Sequence, residues 1–150
     1  MSTIVIVAAR RTPLGAFLGA LAPVSAPELS AVATKACLAD TGINPADIDE
    51  AIIGCVLPAG IGQAPARQAV LKAGLSQATG TTTINKVCGS GMKSVMLASD
   101  TLKAGSAHVV LAGGMESMSG APYLLPKARE GYRMGHQEVL DHMFTDGLQD

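Results

Sequence analysis

The sequence predicts an α/β fold: a βαβαβ arrangement with a mostly parallel sheet covered by helices. Three observations carry this. Short apolar, β-branched runs recur along the chain, segments with helical spacing separate them, and Gly or Pro punctuates most of the joints. Strands alternating with helices of ten or more residues imply right-handed crossovers and a sheet buried on both faces. A chain of 150 residues with 48% hydrophobic content is large enough to build one core.

The first run, Ile4 to Ala9, reads as a strand buried on both faces, broken by Arg10, Arg11, Thr12, Pro13 and Gly15. The basic pair reads as solvated loop charge rather than an anion site. From Pro27 the spacing turns helical through Leu29, Val32, Ala33, Ala36 and Cys37, with Ser25 or Ala26 ahead of the first turn and Gly42 as the stop. Cys37 falls on that apolar stripe and reads as core filler. Asn44-Pro45-Ala46-Asp47 is turn chemistry, and Ala51 to Leu57 is a second buried strand that encloses Cys55 as a packed thiol.

Pro58 to Pro65 reads as a loop, and a helix follows from about Ala64 to Ala73 with Gly74 as its stop. Thr81 to Asn85 is a third strand. Lys93 to Lys103 is amphipathic, with Val95, Met96, Ser99 and Leu102 on one face; Met92 and Met96 are expected in the core. Gly105 ends that helix and Ala107 to Ala112 gives a fourth buried strand, with His108 at its entrance. A His there is expected to be structural or exposed rather than a general base. Met115 to Gly135 is irregular and too long for an ordinary connection, which marks functional or interface-forming loops. His136 to Phe144 reads as a short helix.

The chemistry concentrates in Asn85-Lys86-Val87-Cys88-Gly89-Ser90-Gly91-Met92. A cysteine where a strand gives way to a helix meets unpaired backbone N–H groups and the positive end of the helix dipole, which favours thiolate over thiol. Gly89 and Gly91 permit a tight turn and close approach of another molecule. An isolated Cys is more often a small buried hydrophobe. The Gly-Ser-Gly setting reverses that expectation, and Cys88 is the candidate nucleophile.

Other classes find little support. A net charge of -1 with 15% charged residues leaves no electrostatic footprint for nucleic acid or a membrane surface. Cys37, Cys55 and Cys88 are odd in number and lack C-x-x-C spacing, so neither a disulfide framework nor a zinc knuckle is indicated. The apolar run near Met1 has no basic segment ahead of it and is too short for a signal or a span; a reducing, cytoplasmic location is expected. No G-x-G-x-x-G, P-loop or G-x-S-x-G pattern follows a strand, which disfavours dinucleotide, nucleotide and serine-hydrolase chemistry.

Asn85 to Ser94, followed by Ala112-Gly113-Gly114-Met115-Glu116-Ser117-Met118-Ser119, resembles the nucleophile segment of the thiolases. The likeness includes Ala8-Ala9-Arg10-Arg11-Thr12-Pro13-Leu14-Gly15. Gly54 to Gly60, with Gln63 to Ala69, is most similar to the biosynthetic branch, the acetyl-CoA C-acetyltransferases. The resemblance implies an N-terminal thiolase domain core over 1–118 and, over 119–150, the start of a loop domain carrying a tetramerisation arm and a coenzyme A cover. It implies Cys88 as the acyl-carrying nucleophile, with its backbone N–H in the oxyanion hole, and Leu148 beside the pantetheine arm of the coenzyme. Acetyl-CoA and coenzyme A are the implied substrates, with no metal or redox cofactor. The implied assembly is a homo-oligomer, a dimer of dimers.

Thiolases are longer and add a second half of similar topology with a Gly-His-Pro and a Cys-x-Gly motif. Neither occurs here: His136 precedes Gln137, and Cys88 is the only Cys followed by Gly. In the family, that His activates the nucleophile and the second Cys acts as acid and base. The chain is therefore expected to be complete in catalysis only with a C-terminal half. Three readings follow from the sequence: an acetyl-CoA acetyltransferase, a degradative 3-ketoacyl-CoA thiolase of broader chain length, and a non-catalytic dimerising half-domain.

Overall fold

Ala51, Ile52, Ile53 and Gly54 are all buried, so their run demands cover on both faces and a neighbour on each edge. It obtains both as β1 (Glu50–Gly54), the middle strand of a three-stranded sheet in the computed structural model, which describes residues 3–149. Met1, Ser2 and Asp150, the outermost residues of the two predicted segments, lie outside the described residues. β2 (Gly80–Ile84) and β3 (Val110–Gly114) flank β1, both parallel to it, with Glu50 opposite Gly80 and Val110 and Gly54 opposite Ile84 and Gly114. This is the predicted βαβαβ, and it occupies 50–114.

Helices α1 (Ala26–Thr41), α2 (Pro65–Ala73) and α3 (Ser90–Lys103) start and stop where local chemistry directs. The Glu28 carboxylate accepts the Ser25 N–H at 3.0 Å and its hydroxyl at 2.6 Å, which together hold the Glu28 pKa below the usual carboxylate value. Gly42 and Gly74 end α1 and α2 at φ of 66° and 91°. At the start of α2, the Ala66 N–H donates to Thr83 Oγ1 at 3.1 Å, so β2 satisfies a helix-end donor. Alternation along β1 sends Ala51, Ile53 and Cys55 into a core with Ala66, Ala69, Val70 and Ala73 of α2. Gly54, on the other face, meets α3.

Several expectations need correction. Ile4 to Ala9 does not form a strand: Val5, Ile6 and Val7 are 67%, 78% and 64% exposed. A doubly buried strand needs a ladder partner; β1 is already paired on both edges, and residues 4–9 join neither β2 nor β3. The segment is tethered instead by side chains. Arg10 pairs with Asp40 of α1, its second bond at 2.8 Å, so Arg10 is not a free loop charge. The Leu18 N–H donates to Ser119 Oγ.

Met92 and Met96 are not core residues. They are among the most exposed side chains of α3, whose buried positions are Ser90, Ser94 and Ala98. That helix lies so close to the Gly54, Gly113 and Gly114 backbone that only small side chains fit beneath it. Val32 likewise faces out, because α1 packs on α2 through a face that includes Ala26, Ala31 and Thr34. Cys37 is half-buried. The last strand of the sheet starts at Val110, later than read, because Asp49 takes the His108 and Val109 N–H groups at 2.7 and 3.0 Å. The predicted helix at 136–144 is replaced by β5 (Leu140–Asp141), antiparallel to β4 (Tyr123–Leu124), and by a π-type turn over Phe144–Leu148. Asp141 accepts the Met143 N–H at 2.8 Å, which starts the turn only after the strand.

Candidate active site

The turn between β2 and α3 is built from four residues that each solve a local problem. Asn85 Oδ1 accepts the Val87 N–H at 2.8 Å, an Asx turn that bends the chain out of the strand. Gly89 N–H donates to Lys86 O and Ser90 N–H to Val87 O, both at 3.0 Å, and neither bond uses the Cys88 N–H. Val87 adopts φ 46°, a left-handed conformation that costs a β-branched residue about 1–3 kcal/mol and persists only when its surroundings over-determine it. Cys88 follows directly and is exposed.

Close backbone packing supplies that over-determination. A Cβ on Gly54 would lie 2.5 Å from Ser90 Cβ, and one on Gly114 would lie 3.1 Å from Gly91 Cα. The first turn of α3 thus rests on the C-terminal ends of β1 and β3 with no side chain between. The buried Ser94 hydroxyl lies 2.6 Å from Gly91 O and 2.8 Å from Gly113 O, tying helix to strand.

A cavity of about 350 Å³ opens at this end of the sheet, with Val87, Cys88 and Gly91 on one side and Met143 and Leu148 among its other lining residues. Cys88 and Leu148, assigned separately from the sequence, border the same space. A larger cavity of about 800 Å³, bordered by 10–17, α1 and the end of β3, shares Met115, Glu116, Met118, Met143 and Leu148 with the first. Arg11 lines this larger cavity.

Glu116 is a residue the sequence reading did not single out. Its carboxylate accepts the Val56 N–H at 2.8 Å and the Leu57 N–H at 3.1 Å, which fixes the chain leaving β1. The Cys55 thiol lies 3.7 Å from the same carboxylate. Burial, and then the Glu116 charge, push the Cys55 pKa up from its ordinary 9.0 to about 12, so this thiol keeps its proton. His142 was also not singled out. It is buried, with Nδ1 paired to Asp146 and Nε2 accepting the Ala59 N–H at 3.4 Å, a pairing that assigns the proton to Nδ1. A His and Asp four apart on a helical turn was the available signal. Both ring nitrogens are engaged away from Cys88. His108 stands at the N-terminal end of the strands, the opposite end of the sheet from Cys88, and contributes its backbone N–H. Among the described residues, no group of three or more His, Cys, Asp or Glu is placed to hold a metal ion, and no helix is long and apolar enough to cross a membrane.

The model of the thiolase N-terminal domain matches residues 4–150. The chain belongs to the thiolase family. Over all 150 residues it is 53% identical to an acetyl-CoA acetyltransferase of Cupriavidus necator and 51% identical to one of Pseudomonas aeruginosa. It is 49% identical over the same length to a probable acetyl-CoA acyltransferase of Staphylococcus aureus. In each case the match covers 100% of this chain and 38% of the relative. The parallel sheet flanked by helices is the expected thiolase N-terminal architecture.

Proposed function

We infer that the chain is the nucleophile-bearing part of an acetyl-CoA C-acetyltransferase, in which Cys88 carries the acyl group. One observation supports this above the rest: an exposed thiol follows a strained residue at a helix start and borders a cavity. The Cys88 thiolate attacks the acetyl carbonyl of acetyl-CoA, a tetrahedral oxyanion forms, and the carbon–sulfur bond to coenzyme A breaks. The departing coenzyme A thiolate takes up a proton, and one thioester replaces another of similar energy. Backbone donors at the helix start, the Cys88 N–H among them, stabilise the oxyanion. A second acetyl-CoA then gives up a proton next to its carbonyl to a base outside this chain. Its carbon attacks the acyl-cysteine, the new carbon–carbon bond forms, and Cys88 leaves as thiolate with acetoacetyl-CoA released. The reverse direction uses the same groups.

Leu148 contacts the pantetheine arm in this reading. Residues 1–118 are the domain core and 119–150 the start of the loop domain; the assembly is a cytoplasmic dimer of dimers, and no metal or redox cofactor takes part. A second reading, a degradative thiolase acting on longer 3-ketoacyl-CoA, takes its support from the Staphylococcus aureus relative, which is named a probable acetyl-CoA acyltransferase where the other two are named acetyltransferases.

The test is intact-protein mass spectrometry after incubation with acetyl-CoA, with peptide mapping and a Cys88→Ala control. The chain is assayed alone and joined to the C-terminal part of the Cupriavidus necator relative. A single acetyl group on Cys88, absent from the control, is expected at least in the joined form. No adduct in either form overturns the assignment and leaves a non-catalytic half-domain. Preferential loading from longer acyl-CoA selects the second reading.

A further inference from the structure

Val87 holds an unfavourable φ of 46° immediately before the thiol, and the bonds that keep it there are unequal in kind. Three do not involve the Ser90 side chain: Val87 N–H to Asn85 Oδ1, Gly89 N–H to Lys86 O and Ser90 N–H to Val87 O. The fourth element is the Ser90 hydroxyl, which accepts the Lys86 N–H at 2.8 Å and donates to Val87 O at 2.6 Å. One oxygen thereby brackets the strained residue on both sides, using its donor and acceptor capacity together. Ser90 is 4% exposed and in contact distance of Gly54.

We propose that the Ser90 hydroxyl is a positioning residue that holds the Val87–Cys88 turn in its strained form and thereby aims the Cys88 thiol at the cavity. The inference rests on the reading of Cys88 as nucleophile. Close packing against Gly54 demands a small residue at position 90, and alanine meets that demand. The hydroxyl itself is explained only by what it bonds: the amide before Val87 and the carbonyl of Val87. Without it the Lys86 N–H loses its acceptor, and the turn gains freedom to relax towards negative φ.

The test compares Ser90→Ala, Val87→Gly and the double variant, each in the chain joined to the C-terminal part of a relative. Ser90→Ala is expected to slow acetyl transfer from acetyl-CoA to Cys88 about tenfold, equivalent to ~1.4 kcal/mol. Alkylation of Cys88 by iodoacetamide, which needs access but no particular orientation, stays within about twofold. Glycine adopts φ 46° without help, so in the Val87→Gly background the Ser90→Ala deficit shrinks to about twofold or less; a packing role leaves that deficit unchanged. Amide hydrogen exchange gives a readout independent of catalysis: Lys86 exchanges at least about tenfold faster in Ser90→Ala, while Ile52 and Ile53 of β1 remain protected.

An undiminished tenfold deficit in the Val87→Gly background overturns the proposal, as does wild-type acetyl transfer in Ser90→Ala. If wild-type Cys88 takes no acetyl group, the proposed function fails. The exchange at Lys86 still decides the clamp: acceleration confined to the turn upholds it, and unchanged protection sinks it.

Discussion

Cys55 and Cys88 lie just past the ends of adjacent parallel strands, and the Cys55 N–H even donates to Ile84 O, the last residue of β2. Their fates differ completely. After Gly54 the chain runs on into the core, so Cys55 is sealed against α2 and beside the Glu116 carboxylate, with its pKa pushed up to about 12. After Ile84 the chain turns through Asn85 and the strained Val87, and Cys88 emerges at a helix start facing solvent. Backbone direction over a few residues, and not the side chain, decides which thiol is inert.

The largest test of that contrast is differential labelling. At pH 8, a thiol with a pKa of about 12 offers only a very small thiolate fraction. Iodoacetamide should modify Cys88 at least roughly a thousandfold faster than Cys55 in the folded chain, and unfolding should level the two. Peptide mapping after timed quenches measures the ratio; comparable rates in the native state would show that Cys55 is not sealed.

Breaking the packing that separates the two thiols comes next. Gly54→Ala forces a methyl to within 2.5 Å of Ser90 Cβ and 2.7 Å of Ser90 C. The first turn of α3 must lift, and the expected cost is about 3 kcal/mol in denaturant unfolding. An unchanged midpoint would mean that α3 is not seated on β1.

The smallest effect sharpens the cause of the Cys55 shift. A thiol with a raised folded pKa keeps its proton while the unfolded chain gives its own up. Stability therefore falls as pH rises from about 9 towards 12. Glu116→Gln removes the charge and leaves the burial, so that alkaline loss should shrink at its upper end without disappearing. The same change weakens two N–H bonds, at Val56 and Leu57, for about 1–2 kcal/mol at neutral pH. An alkaline limb that vanishes in Glu116→Gln would make charge, rather than burial, the dominant cause.

The sequence made much of this legible, for reasons that differ by residue. Ala51 to Leu57 and Ile4 to Ala9 have the same apolar, β-branched character, and both read as buried strands. In the first, Ala51 to Gly54 form the centre of the sheet while Cys55 to Leu57 run past the strand's end; the second is exposed, because composition reports what a segment could bury and says nothing of whether an edge is available to it. That a turn lies at Cys88 was readable from Gly89 and Gly91, although neither takes a positive φ and the side-chain bonds that shape the turn come from Asn85 and Ser90. Its strain was not, since a Val at positive φ contradicts its own propensity and is held there by Ser90 and Gly54. Met92 and Met96 misled for a related reason: spacing identifies a face, but the close approach of α3 to Gly54 and Gly114 reserves the inner face for Ser and Ala. Leu148 came from likeness alone. For His142 the spacing to Asp146 was a local sign, but the backbone groups that His142 and Glu116 meet at Ala59, Val56 and Leu57 are announced by no local pattern.

One feature of the sheet bears on when the turn takes shape. β1 is the first strand along the chain and the central one in space, and its two partners begin only at Gly80 and Val110. Parallel pairing over such separations closes long loops before any contact compensates for them, which makes it slow relative to helix formation. The seat beneath Ser90 and Gly91 needs Gly54 and Gly114 together. On a growing chain, the Val87 conformation is therefore fixed only after residue 114 has been made and docked. Until then the turn that carries Cys88 lacks the seat that Gly54 and Gly114 provide.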